Sequence, residues 1–98
     1  MPSYEISVEA AADIEAIGDY GVSTFGFAQA LKYQLALESR FELLAQFPRM
    51  GLPTYDLRQG LYRFRYKSHT IFYTISADNI VIVRVLPARA DFKRHFAS

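Results

Sequence analysis

Residues 57–86 have the sequence LRQGLYRFRYKSHTIFYTISADNIVIVRVL, and the strand pattern in these residues determines the architecture of the chain. Alternating and β-branched residues between polar breaks are typical of strands joined by short turns. The stretch therefore predicts three consecutive β-strands, over residues 61–67, 69–76 and 79–86.

The first of these strands alternates rings with cations. The rings are Tyr62, Phe64 and Tyr66, and the cations are Arg63, Arg65 and Lys67. A period of two places the rings on one face of the sheet and the cations on the other. We expect the ring face to pack against the core, and the cation face either to be solvated or to meet a partner.

The second and third strands are apolar at nearly every position. Such strands are typical of a sheet covered on both faces, here by helices on one side and by a tail or a partner on the other. Arg84 interrupts the third strand. Because an unpaired buried charge is costly, we expect Arg84 to reach solvent or to meet a carboxylate.

The residues before this stretch predict a strand and two helices. Tyr4–Val8 alternates as a half-buried strand, and apolar residues at helical spacing then predict a helix from Glu9 to about Tyr20, ended by Gly21. Residues 22–26 are expected to form a turn in which Ser23 or Thr24 caps the next helix.

The second helix is expected to run to about Phe47 and to be stopped by Pro48. Its core stripe consists of Phe27, Ala30, Tyr33, Leu37, Phe41 and Leu44, widened by Leu31 and Leu35. Residues 49–59 are expected to be loop, and Phe92 and Phe96, four apart in the tail, predict a short helical turn. The expected fold is therefore α+β: a strand, an antiparallel helix hairpin, a three-stranded antiparallel meander and a short C-terminal helix or tail.

Length and composition limit the class of protein. A chain of 98 residues with 51% hydrophobic content and no cysteine fits a single domain over residues 1–98. The sequence has neither the pattern of a signal peptide nor an apolar run long enough for a membrane span. We expect a soluble, cytoplasmic protein without disulfides that does not act at a membrane.

The net charge of +1 conceals two oppositely charged halves. Residues 1–48 carry two cations and seven acids, a net charge of −5, whereas residues 49–98 carry nine cations and three acids, a net charge of +6. The second half therefore suits an acidic or polyanionic partner. The alternative is that acidic helices neutralise a basic sheet within one domain.

The sequence offers few groups for catalysis. No glycine-rich phosphate loop, nucleophile elbow or pair of metal-ligating residues is present, so we expect no metal and no cofactor. Arg63, Arg65 and Lys67 are suited to binding a phosphate or carboxylate, or form a solvated face. His69 is expected to be structural, and His95 is a possible proton donor without an evident carboxylate partner.

Short motifs in this order resemble a known family, the ParE toxins of the RelE/ParE superfamily. The resemblance covers essentially the whole chain and is carried by residues 25–30, 41–45, 48–51, 57–60, 63–65, 68–73, 83–86, 89–91 and 94–95.

The resemblance implies the toxin of a type II toxin–antitoxin system, which inhibits DNA gyrase and is neutralised in a hetero-oligomer by a ParD-like antitoxin. It implies neither catalytic residues nor direct sequence-specific binding of nucleic acid. Our candidate gyrase contacts are the cations of the basic sheet edge and tail, Arg63, Arg65, Arg84, Arg89, Lys93 and Arg94. Our candidate antitoxin contacts are Leu31, Leu35, Arg58, Arg65, Phe72 and Arg84.

The alternative is the RelE-like branch of ribosome-dependent mRNA nucleases. That resemblance assigns Arg63, Arg65 and Arg89 to the scissile phosphate and His95 to proton transfer. The chain departs from the nuclease pattern at Thr70, where an arginine is usual, and at Phe96, in the region where a tyrosine is usual. A structural adaptor without toxicity is a third possibility.

Overall fold

The computed structural model describes residues 3–96 and places a two-helix hairpin on one face of a five-stranded sheet. The helices are α1 (Val8–Phe25), α2 (Phe27–Gln46) and α3 (Phe92–Phe96). The strands are β1 (Ser3–Ile6), β2 (Leu52–Pro53), β3 (Leu61–Tyr66), β4 (His69–Ile75) and β5 (Asn79–Pro87). Their order in the sheet is β1-β5-β4-β3-β2, with β1 parallel to β5 and the other pairs antiparallel.

The predicted meander is confirmed, because β3, β4 and β5 pair in sequence order. The predicted short C-terminal helix is also confirmed, as α3. The prediction of a plain loop over residues 49–59 was incomplete. A 3-10 turn at Pro48–Met50 leads into β2, a two-residue edge strand that pairs with β3 through Tyr62 and Arg63.

The first strand is shorter than predicted because Ser7 ends it. The Ser7 hydroxyl accepts a hydrogen bond from the Ala10 amide at 3.0 Å, which caps α1, and donates to the Val83 carbonyl at 2.8 Å. Val8 therefore begins the helix instead of ending the strand.

The predicted end of the first helix at Gly21 was wrong, since α1 continues to Phe25 and turns at Gly26 with φ of 90°. A Cβ on Gly21 would lie 3.1 Å from Ala30 Cβ, so this glycine lets the two helices approach closely. Neither Ser23 nor Thr24 caps α2, which begins after Gly26 without a side-chain cap.

The core has two parts, one on each face of the sheet. On the first face, Leu37 and Phe41 of α2 pack with Tyr73 and Ile82 of the sheet. On the second face, Phe96 of α3 packs with Leu61, Phe72 and Leu86. The expected covering of the strands on both sides is therefore confirmed, with α3 covering the face opposite the hairpin.

A β-bulge separates the two halves of β5. Phe72 is paired with Arg84 but Tyr73 with Ile82, so Val83 is an extra residue in β5. No helix within residues 3–96 combines the length and the apolar character needed to cross a membrane.

Candidate functional site

Arg63 and Arg65 lie on the face of the sheet that α3 covers. Arg63 is paired with Phe72 across β3 and β4, and paired residues point to the same face. Phe72 contacts the rings of Phe92 and Phe96, with centroid distances of 4.9 and 4.8 Å. The predicted separation of rings from cations along β3 is confirmed, since Tyr62 is buried and both arginines are exposed.

The two arginines line a shallow depression of about 450 Å³ between β3 and the tail. We call it the basic depression, and it is lined by Met50, Gly51, Leu52, Arg63, Phe64, Arg65, Thr70, Ala88 and Phe92. This lining combines two guanidinium groups with apolar walls and includes neither a histidine nor a carboxylate. It therefore suits a phosphate or a carboxylate but supplies no group for proton transfer at neutral pH.

Tyr73 holds one wall of the basic depression in place. Its hydroxyl donates to the Pro48 carbonyl at 2.7 Å and accepts from the Gly51 amide at 3.0 Å. A Cβ on Gly51 would collide with this hydroxyl and would lie 2.8 Å from the Arg63 carbonyl oxygen. Residues 48–51 are thus fixed against β3, and burial raises the pKa of Tyr73.

Arg65 also supports the turn between β3 and β4. Its Nε donates to the Lys67 carbonyl at 2.9 Å, and Lys67 has φ of 51°, in the left-handed region. This bond uses one of the five N–H donors of the guanidinium, so the others are available to a ligand.

The tail presents its cations outward. Phe92 and Phe96 face the sheet, whereas Arg89, Lys93, Arg94 and His95 are exposed. The guanidinium of Arg58 lies over the Phe96 ring, 5.1 Å from its centroid. The basic face of the molecule therefore includes β3 and α3, and the rings of α3 fix its position.

Arg84 meets a carboxylate, which is one of the two environments predicted for it. It donates to both carboxylate oxygens of Asp13, at 2.7 and 2.9 Å, and Asp13 also accepts from the Val85 amide at 2.9 Å. The hydrogen bond to Asp13 raises the pKa of Arg84. With its side chain only 22% exposed, Arg84 serves chiefly to join α1 to the bulge of β5.

Phe72 differs from the other residues predicted to contact an antitoxin. Its side chain is 0% exposed, because the two rings of α3 lie over it. Phe72 therefore serves the core of this structure and is not accessible to a partner while α3 is in place.

His69 has the environment expected of a structural histidine. Its Nδ1 lies 2.6 Å from the Tyr33 hydroxyl, and the two rings are 5.5 Å apart. Burial lowers the pKa of His69. The other histidine, His95, is exposed on α3, and residues 3–96 contain no group of three potential metal ligands.

A second surface lies on the outer side of the hairpin. Phe27, Leu31 and Leu35 recur every four residues along α2 and are 70%, 46% and 56% exposed. We call these three residues the outer row. Phe27 was predicted to lie in the core stripe, but between Ile17 and Tyr33 only Ala30 is buried, where it packs against Gly21 of the other helix. The end of the hairpin therefore contributes no large side chain to the core.

A third apolar surface was not predicted. Phe47, Met50, Leu52 and Tyr55 are exposed beside the basic depression, and Phe47 and Met50 line a neighbouring depression of about 630 Å³. A signal was present in Met50, Leu52 and Tyr55, which are large apolar residues in the segment 49–59 that was expected to be loop, where a solvated chain would be polar.

Comparison with known proteins gives a consistent result. The family described as "ParE toxin of type II toxin-antitoxin system, parDE" matches residues 4–92. Toxin ParE1 of Caulobacter vibrioides is 34% identical over 95 residues, which cover 97% of this chain and 98% of that protein. Toxin ParE1 of Mycobacterium tuberculosis is 32% identical over 93 residues, which cover 94% and 95%.

A solved structure shares the fold. It is described as a chromosomal ParDE TA system from P. aeruginosa, and it matches with a TM-score of 0.76 at 24% identity. The match covers 89% of this chain and 96% of that one.

Proposed function

This chain belongs to the ParE toxins of type II toxin–antitoxin systems, within the RelE/ParE superfamily, and on that premise we propose that it inhibits DNA gyrase in the cytoplasm and blocks replication. It does so by binding, without chemistry of its own. The observation that carries the proposal is the exposed basic face, on which Arg63, Arg65, Arg89, Lys93 and Arg94 surround a core-anchored helix.

The rigid frame beneath these cations supports a binding role. The rings of α3 hold the tail against the sheet, and Tyr73 holds residues 48–51. The backbone that carries the cations of the basic face therefore has a fixed conformation before a partner binds. Binding then costs less conformational entropy than ordering a free segment would. The basic depression can take one anionic group of the target, and the tail cations can take others.

We also propose that a ParD-like antitoxin neutralises the toxin in a hetero-oligomer. Leu31 and Leu35 are exposed apolar residues on a helix face, and such a face suits an amphipathic segment of a partner. Arg58 and Arg65, both exposed on the opposite side of the sheet, are available to an acidic continuation of that segment.

The second candidate function is that of an mRNA nuclease of the RelE-like branch. Arg63 and Arg65 side by side in one depression favour it, because they could hold a phosphate. In that function Arg89 would also contact the phosphate, and His95 would transfer the proton.

The test is a paired assay in vitro. Purified toxin is incubated with gyrase and supercoiled plasmid, and separately with ribosomes that carry a defined message. Accumulation of cleaved plasmid with intact message is the expected result. Cut message with unaffected gyrase would reject the gyrase proposal and assign the chain to the nuclease function.

A triple variant tests the tail. Replacing Arg89, Lys93 and Arg94 together by alanine should lower gyrase inhibition at least tenfold, because it removes three exposed cations that make no described hydrogen bond to the core. The fold should remain, since Phe92 and Phe96 are kept. Lys32→Ala, an exposed cation on α2, is the matched control and should inhibit like the parent. Equal inhibition by the triple variant and the control would remove the tail from the gyrase contact.

A further inference from the structure

The far end of the hairpin is an apolar surface without charge. Residues 20–31, YGVSTFGFAQAL, contain no charged side chain, although the chain as a whole has 11 cations and 10 acids. Residues 22–29 are all exposed, and among them Val22, Phe25 and Phe27 are large and apolar. A surface of this kind typically marks a site of association with another macromolecule.

The outer row changes character along α2. After Phe27, Leu31 and Leu35, the same line of the helix continues with Glu38 and Glu42, since spacings of three and four keep residues on one side. Glu38 and Glu42 are both exposed. The row is therefore apolar toward the turn of the hairpin and acidic toward the other end.

We propose that two copies of this toxin, when no other protein covers the hairpin, pair through their outer rows in antiparallel orientation about a twofold axis at Leu31. Antiparallel pairing places Leu31 against Leu31 of the other copy, and Leu35 against Phe27 of the other copy. In a parallel pair, Glu38 and Glu42 would lie opposite Glu38 and Glu42 of the other copy. These like charges would repel each other. The charge pattern thus selects the antiparallel arrangement.

The antiparallel arrangement also gives Glu38 a favourable position. Glu38 lies seven residues from Leu31, about 10 Å along the helix, and Gly26 of the other copy lies five residues from the axis, about 7.5 Å. Glu38 therefore comes close to the start of the other α2, whose first amides have no side-chain cap. A carboxylate is favoured at the N-terminus of a helix.

The available area fits a weak and reversible dimer. Aromatic side chains bury about 150–250 Å² each when fully covered, so the exposed parts of Phe25 and Phe27 offer roughly 250 Å² per copy. The smaller exposed side chains of Val22, Leu31 and Leu35 raise the total to on the order of 500 Å². Two copies then bury about 1,000 Å², where specific interfaces begin. This association does not depend on gyrase or on the proposed function.

The first experiment measures the mass of the free toxin, made by cell-free synthesis without any partner, by sedimentation equilibrium over a range of concentrations. A reversible monomer–dimer equilibrium is expected. Leu31→Glu places two carboxylates together at the axis and should weaken dimerisation at least tenfold. Gln29→Glu, at an exposed position about 160° around the same helix from Leu31, should leave it within a factor of two.

Cysteine cross-linking tests the axis directly, because the chain has no cysteine of its own. Leu31→Cys should form a disulfide-linked dimer under mild oxidation, since the two thiols face each other. Ser39→Cys should not, because two copies of this residue would lie about 24 Å apart along the helices.

Three results would overturn the proposal: a toxin that is monomeric at its highest soluble concentration, equal cross-linking by the two cysteine variants, or equal dimerisation by the two glutamate variants. A monomer whose Leu31 is protected only after a ParD-like antitoxin is added would assign the surface to the antitoxin alone. Because the antitoxin contacts proposed above include Leu31 and Leu35, antitoxin binding should also separate the two copies.

Discussion

Among single residues, Asp13 shows most clearly how a distant contact decides a local structure. Its carboxylate accepts two hydrogen bonds from Arg84 and one from the Val85 amide, 71 and 72 residues away in sequence. The bulge of β5 would otherwise leave that amide without a ladder partner. The sequence indicated that Arg84 must reach solvent or meet a carboxylate, but alternation along the strand carried no sign of the extra residue at Val83. The bulge and the identity of the carboxylate therefore could not be predicted.

His69 predicts how stability depends on pH. Burial lowers its pKa, so the folded protein binds a proton there less readily than the unfolded chain, in which histidine has a pKa of about 6.5. The contribution of neutral His69 to stability is complete above about pH 6.5. It is lost as the pH falls through that value toward the lowered pKa of the folded state, with a slope of at most about 1.4 kcal/mol per pH unit. Urea denaturation between pH 8 and 5 should show this slope in the parent.

Two variants isolate the effect. His69→Gln cannot titrate in this range and should reduce the slope of stability against pH. His95→Gln, at an exposed position on α3, should keep it. The same slope in the parent and in His69→Gln would assign the pH dependence to other groups.

Among the elements, the strands were predicted more accurately than the helices. The three strands of the meander lie within one residue of their predicted bounds, because alternation and polar turns are local signals. Gly21 misled the prediction, since a glycine that ends a helix and a glycine that admits a neighbouring helix look alike in sequence. The edge strand β2 gave no signal, because two residues that include a proline are too short to show a pattern.

The candidate site was predictable in part for the same reason. Alternation along β3 placed Arg63 and Arg65 together on the exposed face. The wall of the basic depression formed by residues 48–51 could not be predicted, because its position depends on Tyr73, a residue of another strand.

Residues 48–51 also provide a test of how that wall is held. In Tyr73→Phe the Gly51 amide loses its acceptor and the Pro48 carbonyl loses its donor in a buried place, so the free energy of unfolding should fall by about 2 kcal/mol. Amide hydrogen exchange at Gly51 should also become faster, because that amide has lost its hydrogen-bond acceptor. Tyr55→Phe, which removes a partly exposed hydroxyl 3.2 Å from that of Tyr62, should cost about 0.5 kcal/mol or less. Equal losses in the two variants would show that the Tyr73 hydroxyl does not hold this segment.

In the whole molecule, the two charged halves of the sequence form opposite faces. The hairpin carries most of the acids, and the face with β3 and α3 carries Arg58, Arg63, Arg65, Arg89, Lys93 and Arg94. Of the two interpretations of the charge split, internal neutralisation is limited, because Arg84–Asp13 is the single salt bridge within residues 3–96. Most of the basic charge is left to solvent or to a partner.

This separation predicts opposite salt dependences for the two proposed surfaces. Binding to gyrase through the basic face should weaken several-fold as salt rises, because the Debye length shortens to about 8 Å at physiological ionic strength. Self-association through the hairpin should be nearly unchanged or strengthened, because its apolar contacts outweigh the contact of Glu38 with the start of the other α2. Binding titrations of the toxin with gyrase and sedimentation equilibrium of the free toxin, each at low and high salt, measure the two dependences. A gyrase affinity that does not respond to salt would contradict the proposed basic contact.

The parallel pairing of β1 with β5 has a consequence for synthesis of the protein. Ser3–Ile6 pairs with Asn79–Ile82, and Asp13 reaches Arg84, so β1 finds its strand partner, and Asp13 its ion-pair partner, only after β5 has been made. Such non-local contacts form late, because a long loop must close before they contribute any stability. A nascent chain therefore cannot complete its sheet until β5 has left the ribosome. The interval between starting a toxin molecule and having an active one is therefore at least the time needed to translate through β5, and a product terminated before β5 lacks the strand that joins β1 to the sheet.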